Sequence, residues 1–360
     1  MAQKIPATVV TGFLGAGKTT LIRHMLQNAN GRRIALIINE FGDLGVDGDI
    51  LKGCGDETCT DDDVMELSNG CICCTVAEDF VPTMQKLLDR PNPPDHIVIE
   101  TSGLALPQPL VRAFNWPEIS TRVTVDGVVT VVDGKAVTEG RFAHDIAAVD
   151  AQRAMDDNLD HETPLSELFE DQVACADMLV INKTDLLNAS ESDILHARLS
   201  GESRDGVQVV KTSMGVLPVD VLLGRGQSAE GDIANRHEVH HHHDGGDDDH
   251  HDAHEHEPNH AHEHGHDEFE SFVVTRPEIT DPQAFAEHVA DVIRQHDILR
   301  LKGFAAVAGR PMRLTLQAVG PRIDTYFDRP LSAADPRETR LVVIGQAGLD
   351  RAAIEQALRA

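Results

Sequence analysis

The sequence predicts an α/β fold in which a mainly parallel sheet is followed by a small α+β domain. Three observations support this prediction. Short apolar runs alternate with helix-like segments early in the chain, a polar stretch then interrupts the pattern, and strand and helix patterns resume after it. At 360 residues the chain also exceeds the size at which single cores usually stop growing, so we expect two domains.

The strands of the first domain are predicted from apolar runs that suit burial on both faces of a sheet. Because helix-like segments separate these runs, crossover connections and parallel pairing are expected. In chain order the runs are IPATVV (5–10), RIALIINE (33–40), HIVIETS (96–102), VTVDGVVTVVDG (123–134), DMLVINK (177–183) and VQVVKTS (207–213).

The polar stretch at residues 236–268 contains most of the 20 histidines, many acidic residues and almost no apolar ones. Such a composition cannot bury enough surface to offset the entropy of ordering, which predicts a disordered linker. Its imidazoles and carboxylates favour weak, unselective metal binding. We therefore expect a first domain at 1–225, a His/Asp-rich linker at 226–268 and a second domain at 269–360.

The second domain is predicted to contain one clear amphipathic helix at residues 280–296. Asp281 suits its N-cap and Pro282 its first turn. Its apolar face is formed by Phe285, His288, Val289, Val292 and Ile293. Strands are expected at FESFVVT, FAAVAG, MRLTLQAVG, RIDTYFD and RLVVIG, and a last helix from about Asp350.

The charge balance bears on the partners and the compartment. Sixty acidic residues stand against 31 basic ones, a net charge of -29, which disfavours nucleic acid and anionic membranes as partners. No segment approaches the roughly 18 apolar residues of a membrane span, and no signal peptide pattern is present. We expect a cytoplasmic protein whose six cysteines stay reduced.

The stretch TGFLGAGKTT fits the phosphate-binding pattern G-x-x-x-x-G-K-[ST], with a strand before it and a helix starting near Lys18. In a P-loop NTPase domain, backbone N–H groups surround phosphate oxygens, Lys18 neutralises their charge and the Thr19 hydroxyl is placed for Mg²⁺. The alternative is a plain glycine turn, which needs no Lys-Thr pair. The expected nucleotide-binding residues here are Gly12, Gly15, Ala16, Gly17, Lys18, Thr19 and Thr20.

The tetrapeptide NKTD, with Asn182, Lys183 and Asp185, ends a predicted strand and indicates the base. A carboxylate at Asp185 accepts two hydrogen bonds from guanine that adenine cannot supply. GTP is therefore favoured over ATP. After the next strand, Thr212 and Ser213 are weaker candidates for closing over the base.

Two further segments are predicted to meet the phosphates. Glu100 ends the strand HIVIE and is expected to hold Mg²⁺ through water or orient the attacking water, while the Gly103 N–H is offered to the γ-phosphate. A solvent-facing glutamate is the alternative. In NEFGDLGVDG, Glu40 and Asp43 are switch-segment candidates for contacting metal or phosphate.

Cysteines 71, 73 and 74 in NGCICCTV are too close together to suit a disulfide, and three thiolates suit a soft metal ion such as Co²⁺ or Zn²⁺. A fourth position would remain for water, Glu40 or a partner's side chain. The alternative is a group of small packing residues. Cys54 and Cys59 are a second, weaker pair, expected either to acquire metal or to form an occasional disulfide in an exposed loop, and Cys175 is expected to be a packing residue.

The ordered motifs GFLGAGKTT, GCICC, ETSGLALP and NKTD, followed by a His-rich linker and a small domain, resemble the CobW-type family of P-loop GTPases over nearly the whole chain. The resemblance implies a GTPase that acts as a metallochaperone. It implies Mg²⁺-GTP on the P-loop, metal on Cys71, Cys73 and Cys74, and delivery to a client metalloenzyme or cobalt-inserting enzyme, coupled to hydrolysis in which Lys18, Glu100 and Gly103 take part. The C-terminal domain is the candidate docking site by elimination, since it contains no recognisable catalytic motif.

Two questions stay open at the level of sequence. The GCGDETC insertion and the linker most resemble the family branch that serves cobalamin biosynthesis, so cobalt delivery is the first expectation. A zinc-directed metallochaperone is the alternative, because zinc-directed relatives also carry His-rich linkers and Zn²⁺ binds such ligands more tightly than Co²⁺. The competing functions are a His-rich metal buffer with an incidental GTPase fold and a regulatory GTPase with structural cysteines.

Overall fold

The parallel sheet of the first domain has seven strands in the part of the chain that the structure describes. The structure is a computed structural model, and it describes residues 4–38, 64–66, 80–155, 164–224, 226, 228–236, 269–320, 322–331 and 337–360. The strands are β1 (Ile5–Thr11), β2 (Ile34–Ile38), β3 (Val64–Glu66), β4 (His96–Glu100), β5 (Val123–Asp133), β6 (Met178–Asn182) and β7 (Gln208–Lys211).

The order of the strands is β3-β2-β4-β1-β5-β6-β7, and every neighbouring pair is parallel. The carboxyl ends of all seven strands therefore share one edge, where ligands bind in open parallel sheets. β3 was not predicted, since three residues are too few for a periodic signal. The other six match the predicted apolar runs.

Helices cover both faces of this sheet. On one face, Leu21 and Met25 pack on strand residues such as Val129. On the opposite face, Phe80 and Met84 pack on a different set of strand residues. Each such burial contributes about 1.5–3 kcal/mol. The helices are α1 (Lys18–Gln27), α2 (Val81–Leu88), α3 (Pro107–Ala113), α4 (Pro117–Ser120), α5 (Gly134–Thr138), α6 (Ile146–Met155), α7 (Leu165–Cys175), α8 (Ala189–Glu202) and α9 (Val219–Leu222).

In the described residues, the second domain is an antiparallel sheet with two helices and its own core. The elements are β8 (Phe269–Pro277), α10 (Pro282–Gln295), β9 (Arg300–Ala306), β10 (Met312–Val319), β11 (Arg322–Pro330), β12 (Glu338–Gln346) and α11 (Arg351–Arg359). The order of the strands in the sheet is β11-β10-β9-β12-β8. The predicted fold class is confirmed.

Helix α10 begins where its sequence predicts. The Asp281 carboxylate accepts hydrogen bonds from the backbone N–H groups of Gln283 and Ala284, at 2.9 and 3.1 Å. This cap satisfies two N–H groups that lack partners within the helix. Four of the five predicted face residues are buried, and His288 is half-buried with its ring Nε2 2.8 Å from the Ala357 carbonyl oxygen.

The first domain extends further along the chain than its composition indicates. A linker was expected from residue 226, but residues 226 and 228–236 pack on the first domain. Arg236 is buried and forms a two-pronged ion pair with Asp177, with N–O distances of 2.7 and 2.9 Å. Residues 237–268 lie outside the described residues.

The two domains also share a core. Leu299 and Ile344 of the second domain are buried with α1 and β6 residues of the first. At the edge of this contact, Asp220 accepts hydrogen bonds from Arg32 of its own domain and from Lys302 of β9. None of the helices among the described residues has the length and apolarity needed to cross a bilayer.

Candidate functional site

The loop between β1 and α1 is shaped by glycines in left-handed or otherwise positive-φ conformations. Gly12, Gly15 and Gly17 have φ angles of +133°, +76° and +103°. A Cβ on Gly12 would lie 2.1 Å from the Val131 carbonyl oxygen, and one on Gly17 would lie 2.2 Å from the Asn182 amide nitrogen. Glycine is therefore required at both positions, and the loop lies tightly against β5 and β6.

Lys18 follows as the first residue of α1 and is almost completely buried. Its ammonium group donates to the carbonyl oxygens of Gly12 and Phe13, at 2.8 and 3.4 Å. These contacts hold a positive charge inside the curve of the loop, at a helix N-terminus where anions are favoured.

Glu100 reaches this loop from the neighbouring strand, because β4 pairs with β1. It is 6 % exposed, and its carboxylate accepts a hydrogen bond of 3.3 Å from the Thr19 hydroxyl. A carboxylate and a hydroxyl side by side are hard oxygen ligands of the kind that Mg²⁺ prefers. The donor set therefore fits the expected magnesium ion, which Thr19 and Glu100 would hold.

A cavity of about 330 Å³ opens between these groups. The buried Thr101 hydroxyl at its wall makes no hydrogen bond within the described residues, and Gly15 has open space where a side chain would be. Both features suit a ligand rich in oxygen atoms. The lining includes Gly15, Lys18, Thr19, Glu100, Gly103 and Gln152.

Asn182 ties the phosphate-binding loop to the loop after β7. Its side-chain amide donates to the Ala16 carbonyl oxygen at 2.9 Å and accepts from the Gly215 N–H at 3.0 Å. A buried amide with both ends satisfied holds its partners in one geometry. Asn182 of NKTD is therefore a buried residue that connects two loops by hydrogen bonds.

Lys183 adopts a left-handed backbone conformation, with φ of +61°, and its ammonium group lies 2.6 Å from the buried Asp133 carboxylate. The next residue, Thr184, donates through its hydroxyl to the Thr212 carbonyl oxygen at 2.9 Å. Asp185 is then exposed on the 3₁₀ turn that follows β6. Because the turn is held by these hydrogen bonds and the Asp185 carboxylate is exposed on it, the carboxylate is accessible to the base of a nucleotide.

The structure brings Lys18, Thr19, Glu100 and Gly103 to the lining of one cavity, and Asn182 bonds to the phosphate-binding loop beside it. It also adds Asp133 and Gln152, which sequence reasoning missed. The sequence offers a signal for Asp133, because it is an acidic residue at the end of a buried strand. Gln152 lies on α6, and no sequence motif around it indicates a role in the site. Gln152 donates to the Ser102 hydroxyl at 3.2 Å.

The predicted transition-metal site cannot be placed in the same way. Glu40, Asp43, Cys54, Cys59, Cys71, Cys73 and Cys74 lie outside the described residues. Within the described ranges, no three His, Cys, Asp or Glu side chains form a group that could hold a metal ion. Cys175 is buried in the core as expected, and burial raises the pKa of its thiol to about 12.

Two family models match the chain. Residues 6–210 match the CobW/HypB/UreG nucleotide-binding domain, and residues 269–360 match the cobalamin synthesis protein cobW C-terminal domain. Among solved structures, the Zn(II)-bound YjiA GTPase from Escherichia coli is 25% identical, with a TM-score of 0.40 over 99% of this chain and 100% of that one.

Curated relatives resemble the chain over nearly its whole length. A protein named zinc chaperone CobW from a Sinorhizobium species is 59% identical over 99% of this chain and 97% of its own. A protein of the same name from Pseudomonas aeruginosa is 54% identical over 99% of this chain and 91% of its own. Zinc chaperone YjiA from E. coli is 30% identical over 95% of this chain and 94% of its own. The chain therefore belongs to the CobW/HypB/UreG family of nucleotide-binding proteins and carries the CobW C-terminal domain.

Proposed function

We propose that this protein is a metallochaperone that binds and hydrolyses GTP and delivers a divalent transition metal, zinc in the first place, to a client protein. The observation that carries the proposal is the cavity lined by Lys18, Thr19 and Glu100, formed by a loop to which Asn182 is hydrogen-bonded. The similarity of this chain to zinc chaperones along nearly its whole length supports zinc as the metal and the chaperone role.

In the proposed mechanism the loop of residues 12–19 receives the phosphates of GTP. The Lys18 ammonium exchanges its carbonyl contacts for phosphate oxygens, and the Gly103 N–H contacts the γ-phosphate. Glu100 orients the attacking water, and the exposed Asp185 carboxylate accepts the N–H groups of guanine. Magnesium, when bound at Thr19 and Glu100, supplies charge neutralisation for the departing phosphate.

The cargo metal is assigned to Cys71, Cys73 and Cys74 on the strength of their spacing. GTP hydrolysis is proposed to be coupled to metal release, so that the metal is held before hydrolysis and released after it. By linkage, bound metal then tightens GTP binding by the same factor. The described C-terminal domain is the candidate docking site for the client.

The first experiment separates the metal site from the His-rich tract. Reduced protein lacking residues 237–266 is titrated with Zn²⁺ and Co²⁺ in competition, without nucleotide, with Mg²⁺-GDP and with Mg²⁺-GTP. We expect a tight site that appears with GTP and is lost in Cys73→Ser, with Cys175→Ser as the matched control because Cys175 is buried.

Each alternative predicts a different outcome. Equal binding in all three nucleotide states, with most capacity lost on deletion of the tract, would favour a metal buffer. GTP affinity that responds neither to metal nor to Cys73→Ser would favour a regulatory GTPase. Cobalt supply to cobalamin biosynthesis is a second candidate function, favoured by the name of the C-terminal domain family, and requires Co²⁺ to prevail at cellular metal levels.

A further inference from the structure

Strand β7 is an edge strand of the parallel sheet among the described residues, and its last residue contacts the second domain. The carbonyl oxygen of Lys211, the last residue of β7, accepts a hydrogen bond of 3.2 Å from the side-chain amide of Gln346. Gln346 is the last residue of β12. One side chain of the C-terminal domain therefore holds the backbone of the nucleotide domain at the point where the loop of residues 212–215 begins.

That loop connects directly to the nucleotide site. The Thr212 N–H donates to the Ile181 carbonyl oxygen at 2.8 Å, and the Thr212 carbonyl accepts from Thr184 of the NKTD turn. At the other end of the loop, the Gly215 N–H donates to Asn182, which in turn donates to Ala16 of the phosphate-binding loop. Four hydrogen bonds thus lead from β7 to the base-recognition turn and the P-loop.

The same loop has little freedom to move without moving α1. A Cβ on Gly215 would lie 2.8 Å from the backbone nitrogen of Leu21, so the two backbones are in close contact. Close-packed backbones transmit a displacement instead of absorbing it. A shift of Lys211 is therefore expected to reach both loops that meet the nucleotide.

Another hydrogen bond between the domains, at the opposite end of β7, provides an internal comparison. Gln208 begins β7 and donates to the Leu299 carbonyl oxygen of the second domain at 2.9 Å. Both glutamines line a cleft of about 990 Å³ between the domains. They differ in position, because Gln208 is at the amino end of β7, away from the nucleotide edge, and Gln346 contacts the carboxyl end.

We propose that Gln346 is a positioning residue through which the C-terminal domain controls how tightly the nucleotide site holds its guanine base. The inference rests on the proposed binding of guanine nucleotides. It gives the C-terminal domain a regulatory role: a partner that displaces β12 from β7 loosens residues 212–215 and speeds nucleotide release. By linkage, bound nucleotide strengthens the contact between the domains.

The test compares Gln346→Leu with Gln208→Leu in the full-length chain. Release of a fluorescent GDP analogue is followed by stopped flow, and inorganic tripolyphosphate serves as a competitor that needs the P-loop but no base. Loss of one hydrogen bond to Lys211 is expected to speed GDP release about two- to tenfold, with less effect on tripolyphosphate. Gln208→Leu is expected to change release less than about twofold. Gln346→Glu, which keeps the size and removes the donor, should behave like Gln346→Leu.

Hydrogen exchange of the Thr212 and Gly215 amides provides a readout that requires no nucleotide. We expect faster exchange in Gln346→Leu than in Gln208→Leu, with equal melting temperatures for the two variants. Equal exchange and equal release would overturn the inference. A wild-type protein that binds adenine and guanine nucleotides alike would instead overturn the proposed GTP specificity, and the exchange comparison would still decide the role of Gln346.

Discussion

At the scale of single residues, the least expected feature is a buried Thr–His–Asp cluster away from the nucleotide site. The ring Nε2 of His96 lies 2.8 Å from the Thr8 hydroxyl and 3.9 Å from the Asp126 carboxylate. A catalytic triad needs the acid on the other ring nitrogen, where it orients the base. Because both partners face the same nitrogen here, the cluster stabilises the strands and has no geometry for nucleophilic catalysis.

His96 makes the protein sensitive to acid. Burial is the main cause that lowers its pKa to about 4; Asp126 raises the pKa, and Arg32 and Arg300 lower it. The folded pKa lies below the unfolded value, so the stabilisation is complete above pH 6.5 and is lost as the pH falls from 6.5 to 4. Between pH 7 and 5 we expect this residue to remove about 2 kcal/mol from the free energy of unfolding.

The measurement is urea unfolding of wild type and His96→Gln at both pH values, with exposed His144→Gln as the control. His96→Gln is expected to be less stable at pH 7 but to lose less stability on acidification. Parallel losses in the two proteins would show that His96 is not the group responsible.

At the scale of elements, the segment of residues 228–236 shows how a polar sequence becomes part of a folded domain. Glu230 accepts from the Thr124 hydroxyl and from the Val125 N–H, at 2.6 and 2.9 Å, so it lies against the start of β5. Arg236 then donates to Asp177 and to the Cys175 carbonyl oxygen. Ion pairs and backbone contacts hold this segment in place where apolar side chains are few.

We expect Arg236→Met to destabilise the first domain by about 3–5 kcal/mol, since it removes the buried cation that pairs with the buried Asp177 carboxylate. Arg236→Lys keeps the charge but loses the two-pronged geometry, and its cost should be smaller. Chemical unfolding of both variants makes the comparison. A cost for Arg236→Met below that of Arg236→Lys would mean that the ion pair does not anchor this segment.

At the scale of the whole molecule, the two domains are joined by a shared core and by ionic contacts around Asp220. Partial burial by itself raises the pKa of Asp220, but hydrogen bonds from Lys302 and Arg32 outweigh it and lower the pKa to about 2. The folded pKa is below the unfolded one, so this stabilisation is present above about pH 4 and is lost as the pH falls towards 2.

Asp220→Asn is expected to weaken the contact between the domains by about 1–2 kcal/mol, because charged hydrogen bonds are replaced by weaker ones in a partly exposed place. Calorimetry should show the unfolding of the two domains separating. Asp95→Asn is the matched control: its partner Arg33 lies in the same domain, at 2.7 Å. The same change in calorimetric cooperativity for both variants would contradict a specific role for Asp220.

Much of the fold and of the nucleotide site could be predicted because its signals are local. A run such as IALII requires burial on both faces, Gly12 and Gly17 occur where only glycine fits, and Lys18 with Thr19 follows at the start of a helix. The predicted cap at Asp281 is equally local, since the carboxylate bonds to N–H groups two and three residues away.

The sequence by itself therefore determined the α/β class, the position of the phosphate-binding loop and the order of the motifs along the chain. Only the tertiary structure decided that Asn182 joins two loops, that Thr8, His96 and Asp126 meet from three strands, and that Gln346 reaches Lys211. The physical reason is distance along the chain. Contacts between residues tens to hundreds of positions apart depend on strand order and register, which no short segment of the chain encodes.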